Sequence, residues 1–119
     1  MGQAPLRENT SLLERVPPQN LDAEMSVLGA MLIDSEAVPQ VIERIKEHHF
    51  YAEAHQEIYR TFIELFDQGV PLDLLTITEK LRKKNTLDKV GGASYLAHLS
   101  SFVPTSAHVE HYAKIVKEK

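Results

Sequence analysis

The sequence predicts an all-α fold, a compact bundle of about six short helices. Three observations support this prediction. Apolar residues recur every three or four positions over most of the chain, and capping residues and glycine or proline stops separate these segments. No alternating apolar and polar run is long enough for a sheet. Leu72 to Thr78 is the nearest candidate for a strand, but its capping signals favour a helix.

The chain is expected to divide into an arm and one helical domain. Residues 1–18 include Pro5, Pro17 and Pro18. Because proline interrupts helices, this stretch is predicted to be a flexible N-terminal arm. The helical domain is expected to occupy residues 19–119.

Capping residues and apolar spacing predict the first two helices. Asn20 is expected to cap the first, placing Asp22 and Glu24 in its first turn, where carboxylates suit the positive end of the helix dipole. Gly29 lies inside this helix and predicts the close approach of another helix. The apolar stripe of the first helix comprises Leu21, Met25, Leu28 and Leu32, and a second helix over about 36–47 holds Val38, Val41, Ile42 and Ile45.

The third and fourth helices flank a turn. The third is predicted from Ala52 to Gln68, with Gly69 as its stop. The fourth begins at Asp73, or at Thr76 paired with Glu79 as a capping box. Its predicted inner positions are Leu74, Ile77 and Leu81.

The last two helices lead to a prediction about self-association. Gly91-Gly92 precede a fifth helix with Tyr95, Leu96 and Leu99, and Thr105 or Ser106 is expected to cap a sixth. The sixth helix has no glycine or proline stop, and its apolar face is unusually broad. This pattern predicts truncation or an absent partner helix. The residues expected to mediate self-association are Tyr112, Ile115 and Val116; alternatively, they complete the domain's own core.

Composition limits the function. The 119 residues suit one domain, there is no cysteine, and 17 acidic against 13 basic residues give a formal charge of −4. Proteins that bind DNA phosphates usually carry a basic surplus, so direct DNA binding by this domain is disfavoured. The sequence shows neither a signal peptide nor an apolar run long enough to span a membrane, so a cytoplasmic location without membrane contact is expected.

Motifs for chemistry are absent from the sequence. Neither a phosphate-binding loop nor a dinucleotide-binding glycine turn occurs, so no catalytic, cofactor-binding or metal-binding residue is predicted. His108 and His111 have the spacing of a metal-binding pair but lack further ligands. His55 is expected to lie at the edge of the core and to bond a backbone carbonyl. The chain itself is therefore expected not to be an enzyme.

Five sequence blocks follow one another along the chain: RVPPQNLDAEMSVLG at 15–29, FYAEAHQEIY at 50–59, PLDLLT at 71–76, VGGASYL at 90–96 and VPTSAHVEHYAKIV at 103–116. These blocks resemble the bacterial replicative DNA helicases of the DnaB family. Their order along residues 15–119 makes the resemblance specific. His49 departs from it, since the family more often has an acidic residue there.

The resemblance implies a place in a larger machine. It implies the helical N-terminal (collar) domain of a hexameric ATP-dependent helicase, followed by a helical hairpin and a RecA-like motor domain that binds ATP and Mg. Such domains associate as a trimer of dimers, receive the helicase-binding domain of primase, and can take part in helicase loading. DNA would then be bound by the motor domain rather than by this one.

Two other functions stay open from the residues. Gly69 to Asp73 could be the turn of a helix-turn-helix DNA-binding module, although the acidic balance disfavours it. The helicase-binding domain of primase is also a helical bundle, although the five blocks resemble the helicase.

Overall fold

Six α-helices and no strand are present among residues 18–102 and 109–118, the part of the chain that the computed structural model describes. They are α1 (Pro18–Ile33), α2 (Ala37–Arg44), α3 (Glu53–Asp67), α4 (Leu74–Lys83), α5 (Gly92–Phe102) and α6 (Val109–Lys117). Short 3-10 helices at Glu47–His49 and Asp88–Val90 precede α3 and α5. The all-α prediction is confirmed. None of the described helices is long and apolar enough to cross a membrane.

Helix α1 is the centre of the packing. It contacts α2, α3, α5 and α6. The predicted stripe is only half right, because Leu28 and Leu32 are buried whereas Leu21 and Met25 are half-buried. Small residues between the large ones allow neighbouring helices to approach from several sides. The buried residues therefore surround the helix: Ala23, Glu24, Ser26, Val27, Leu28, Gly29, Ala30, Met31 and Leu32.

The start of α1 lies earlier than predicted. The helix begins at Pro18, so Asn20 lies inside it and does not cap it. Proline is well tolerated in a first helical turn, where its missing N–H has no partner to lose. The first turn contains no acidic residue. The predicted arm, apart from Pro18, lies outside the described residues.

The ends of the middle helices follow from residues that the sequence analysis identified. α3 stops at Gly69, whose φ of +72° suits glycine, and the Val70 amide donates to the Leu65 carbonyl at 3.0 Å. Asp73 caps α4: its carboxylate accepts from the Thr76 amide at 2.9 Å, and the Thr76 hydroxyl accepts from the Asp73 amide. Glu79 is not part of this cap. The predicted caps of α6 at 105 and 106 lie outside the described residues.

All six helices contribute residues to the core, which contains several aromatic side chains. Phe50, Tyr59 and Phe62 are almost fully buried. The Tyr59 hydroxyl donates to the Ile45 carbonyl at 2.6 Å, and burial raises the pKa of this hydroxyl. α6 contributes Ala113 and Val116 to the same core.

An ion-pair cluster joins α3 to the end of α4. Lys84 Nζ lies 3.0 Å from Glu57 Oε2, 3.2 Å from Glu64 Oε2 and 2.8 Å from the Thr61 hydroxyl. Burial works against ionisation of Glu57, but hydrogen bonds from Lys84 and Thr86 hold its pKa below the ordinary value.

Candidate partner-binding surface

A buried polar cluster joins α1, α3 and α5. His55 Nδ1 lies 2.7 Å from Glu24 Oε1, and His55 Nε2 lies 2.6 Å from the Tyr95 hydroxyl. Glu24 also accepts hydrogen bonds from the backbone amides of Tyr51 at 2.7 Å and Ala52 at 3.4 Å. Burial, and then the charge of Glu24, raise the pKa of the Tyr95 hydroxyl. The cluster thus satisfies its buried polar atoms internally.

The geometry of this cluster supports a structural role. Glu24 is fully buried and His55 is 4% exposed, so a substrate has no access to either group. Both ring nitrogens of His55 have a partner, which leaves neither for proton transfer to a ligand. Two predictions are wrong here: Glu24 does not lie in the first turn of α1, and His55 bonds side chains instead of a backbone carbonyl.

Three of the five large apolar side chains that are exposed among the described residues lie at the end of α3 or the start of α4. Phe66 is 43% exposed, Leu74 37% and Leu75 71%. We call these three residues the apolar corner. Soluble proteins expose single apolar side chains routinely, but a group of large ones is typical of a contact surface. The apolar corner is therefore the candidate site for a protein partner.

A groove of about 360 Å³ adjoins the apolar corner. Apolar atoms make up most of its wall, and the lining includes Lys80 and Lys83. Its one described carboxylate, Glu79, is paired with Arg82 at 2.6 Å. The groove therefore suits a ligand that combines apolar and acidic side chains. Its lining consists of Leu65, Gln68, Val70, Leu75, Thr76, Glu79, Lys80 and Lys83.

The three residues predicted to mediate self-association differ in burial. Val116 is fully buried and belongs to the chain's own core. Tyr112 and Ile115 are half-buried and pack against that core, with part of each side chain accessible. Self-association through this set stays a prediction.

The histidine pair considered as a metal site is described only in part. His111 is exposed on α6, whereas His108 lies outside the described residues. Within the described ranges, no three histidine, aspartate or glutamate side chains are placed to share a metal ion.

The profile of the DnaB-like helicase N-terminal domain matches residues 16–118. The chain belongs to this family. The match includes all six helices described above.

Curated relatives of this family member are replicative DNA helicases. The chain is 44% identical over 106 residues to the replicative DNA helicase DnaB of Geobacillus stearothermophilus, covering 89% of this chain and 23% of that protein. It is 45% identical over 111 residues to the replicative DNA helicase DnaC of Bacillus subtilis, covering 92% and 24%. The chain thus spans about a quarter of the length of these relatives.

A solved structure has the same fold. The crystal structure of the N-terminal domain of DnaB helicase from Mycobacterium tuberculosis superposes with a TM-score of 0.81 at 44% identity. The match covers 86% of this chain and 74% of that one. The family match favours the helicase domain over the primase domain and the helix-turn-helix module.

The sequence analysis did not identify the apolar corner. It assigned Leu74 to the inner stripe of α4 with Ile77 and Leu81, and it made no use of Leu75. Leu75 does not belong to that stripe. A leucine outside the stripe, next to one that belongs to it, is the signal in the sequence that could have identified this surface.

Proposed function

We propose that this chain is the N-terminal assembly and partner-binding domain of a hexameric ATP-dependent replicative DNA helicase. It would contribute to ring assembly, in a trimer of dimers, and to primase recruitment at the replication fork. The names of the relatives support the parent activity, and the apolar corner beside its groove supports the binding role. ATP and Mg would bind a motor domain, which makes this domain a scaffold without catalysis of its own.

The groove beside the apolar corner would receive a helix of the helicase-binding domain of primase. Such a helix would insert apolar side chains against Leu75 and place acidic ones near Lys80 and Lys83. Burying one exposed leucine contributes about 1.5–2 kcal/mol, enough for roughly a tenfold change in affinity. A ring of six copies would convert modest affinity into useful avidity, in the cytoplasm where replication takes place. A helicase loader is a further candidate for the same surface.

The proposal is tested by titrating the primase domain into the 119-residue chain by calorimetry. We expect Leu75→Glu to weaken binding about tenfold or more, because it places a charge in the apolar contact. The matched control is Ile33→Glu, which changes a 47% exposed apolar residue at the end of α1. Unchanged affinity in Leu75→Glu, or equal loss in both variants, would contradict the assignment of this surface.

Ring assembly has a separate test at α6. Ile115→Asp would lower the mass of the parent assembly measured by light scattering, since Ile115 is half-buried and keeps an accessible apolar portion. Lys114→Asp, at an exposed neighbouring position, is the control. An unchanged mass in Ile115→Asp would exclude this residue from the self-association contact.

A further inference from the structure

A histidine side chain closes the turn between α2 and α3. The Lys46 amide donates a hydrogen bond of 2.8 Å to His49 Nδ1, across the 3-10 helix at Glu47–His49. The His49 amide donates to the Lys46 carbonyl at 3.0 Å. The side chain of His49 therefore bonds back to the amide at the start of the turn, as the third residue of a capping box does.

The hydrogen bond from Lys46 requires a neutral His49 ring. An imidazole nitrogen accepts a hydrogen bond only while it carries no proton, and both nitrogens of the charged ring are donors. Nδ1 is therefore the unprotonated nitrogen, and the neutral ring carries its hydrogen on Nε2. Protonation at Nδ1 would place two N–H groups opposite each other over the same 2.8 Å. The amide would lose its acceptor and the ring would turn away.

The surroundings of His49 disfavour a positive charge on its ring. The side chain is half-buried, and burial lowers its pKa. Among the described residues, the charges that lower this pKa further come from His48, Lys117 and Lys46. His48, His49 and Lys117, the last residue of α6, line one cleft of about 420 Å³. The turn and the end of α6 are therefore linked electrostatically.

The remaining polar groups near His49 do not offset these charges. The carboxylate of Glu47, in the same turn, pairs with Arg60 of α3. The cleft is also lined by Tyr51 and by Gln56 of α3, which contribute a phenol and an amide.

Other hydrogen bonds hold the chain on both sides of this turn. The Ile45 carbonyl accepts from the Tyr59 hydroxyl at 2.6 Å, and the Phe50 carbonyl accepts from the Gln56 side-chain amide at 2.7 Å. These bonds attach both ends of the turn to α3 and do not depend on the charge of His49. Loss of the bond from Lys46 would therefore open the turn locally, while the helices stay packed.

We propose that His49 is a pH-sensitive cap of the turn between α2 and α3. The neutral ring holds the Lys46 amide and closes the turn. The protonated ring releases that amide and is repelled by Lys117, so acid opens the turn and loosens it from the end of α6. This response goes beyond the proposed scaffold function, because it requires neither a partner protein nor a ring assembly.

The direction of the pH effect follows from the pKa of His49. This pKa lies below the ordinary value of 6.5, so the folded chain binds a proton here less readily than the unfolded chain. The stabilisation by the cap is complete above about pH 6.5 and is lost as the pH falls through the lower folded pKa. The loss begins at higher pH than the protonation of Glu57, whose pKa lies below 4.5.

The test is a nuclear magnetic resonance titration of the 119-residue chain from about pH 8 to about pH 5. We expect the Lys46 amide proton to move upfield as the His49 ring gains its proton, with a midpoint below 6.5. His49→Asn places an oxygen acceptor near the position of Nδ1 and does not titrate, so the Lys46 amide should keep its hydrogen bond throughout. His49→Ala should show the released amide at every pH.

Two further variants separate His49 from its neighbours. His48→Asn is the matched control, since it changes the adjacent histidine and should preserve the response of the Lys46 amide. Lys117→Gln removes a positive charge of α6 and should raise the midpoint of His49. Circular dichroism checks that each variant keeps its helices.

Three results would overturn the proposal. The first is a Lys46 amide that does not follow the titration of His49. The second is an equal response of this amide in His49→Asn. The third is an unchanged midpoint in Lys117→Gln, which would remove the link to α6. Because primase and the parent assembly are absent from these measurements, the proposal can fail while the scaffold function stands.

Discussion

Glu24 stabilises the fold because all of its hydrogen bonds are made inside the protein. A buried carboxylate is costly unless hydrogen bonds or opposite charge replace its hydration. Here the backbone amides of Tyr51 and Ala52 and the ring of His55 replace it. The same contacts fix the residues just before α3 against α1. One side chain therefore determines how α3 enters the core.

Removing the Glu24 carboxylate should destabilise the protein strongly. Glu24→Ala leaves two backbone amides and His55 without their acceptor, and we expect the free energy of unfolding to fall by about 3–5 kcal/mol. Urea unfolding followed by circular dichroism measures this change. Asp22→Ala, at an exposed position of the same helix, should stay within about 0.5 kcal/mol. A loss below about 1 kcal/mol for Glu24→Ala would mean that water can replace the cluster.

Glu57 gives the protein a specific sensitivity to acid. Its pKa in the folded protein lies below the ordinary value of 4.5, so folding favours its ionised form. The stabilisation is complete above that ordinary value and is lost as the pH falls through the lower folded pKa. Glu47 acts in the same direction, because its hydrogen bond to Arg60 lowers its pKa. We expect the free energy of unfolding to decline below about pH 4.5.

Glu57→Gln isolates this contribution. The variant cannot ionise and loses the charge beside Lys84, so it should be less stable at neutral pH and show a shallower decline with acid. Denaturant unfolding at several pH values gives both quantities. Glu79→Gln removes an exposed pair with Arg82 and should stay within about 0.5 kcal/mol. Parallel acid profiles for wild type and Glu57→Gln would contradict the assignment.

At the scale of the helices, α5 depends on two consecutive glycines at its start. Gly91 and Gly92 have φ values of +111° and +78°, in the region that favours glycine. A Cβ on Gly91 would lie 2.8 Å from Tyr95 Cβ, whereas a Cβ on Gly92 would meet nothing within 4 Å. The two glycines thus have the same backbone requirement but different surroundings.

Alanine substitutions at these two positions should separate the cost of backbone strain from the cost of steric overlap with Tyr95. Gly92→Ala adds backbone strain alone and should cost about 1 kcal/mol. Gly91→Ala also pushes Tyr95, and with it the bond to His55, so we expect a loss of about 2–4 kcal/mol. Thermal melting of the two variants gives the comparison. Equal losses would show that Tyr95 moves without cost.

The helices were predictable where local chemistry determines them. Gly69 ends α3 because glycine readily adopts a positive φ, and Asp73 begins α4 because its carboxylate caps the helix. Each property belongs to a single residue and can be read from the sequence. The face of α1 was not predictable, because its burial depends on how many helices surround it. Periodicity identified Leu28 and Leu32 but could not show that Glu24 would also be enclosed.

The candidate surfaces were less predictable than the helices. Apolar spacing gives the side of a helix that faces the core, but not where the neighbouring helix ends. The spacing therefore did not show that Leu74 and Leu75 would be exposed.

At the scale of the whole molecule, the first and last helices support each other. α1 packs against α6, and α6 supplies Ala113 and Val116 to the core. A chain that stops after residue 102 would expose the side of α1 that α6 covers. We expect this variant to lose cooperative unfolding and to bind a hydrophobic dye. A chain that lacks only the last two residues should unfold like the wild type, and a cooperative transition in the shorter chain would contradict this dependence.

The packing of α1 against α6 also affects how the protein is made. About 75 residues separate the two helices, so at roughly 5–20 residues per second the ribosome needs about 4 to 15 s between them. During that interval the apolar surface of α1 meant for α6 has no partner. Apolar surface that is transiently exposed in this way makes a growing chain prone to aggregation and a target for chaperones. Folding of the α1–α6 layer is therefore a late event of synthesis.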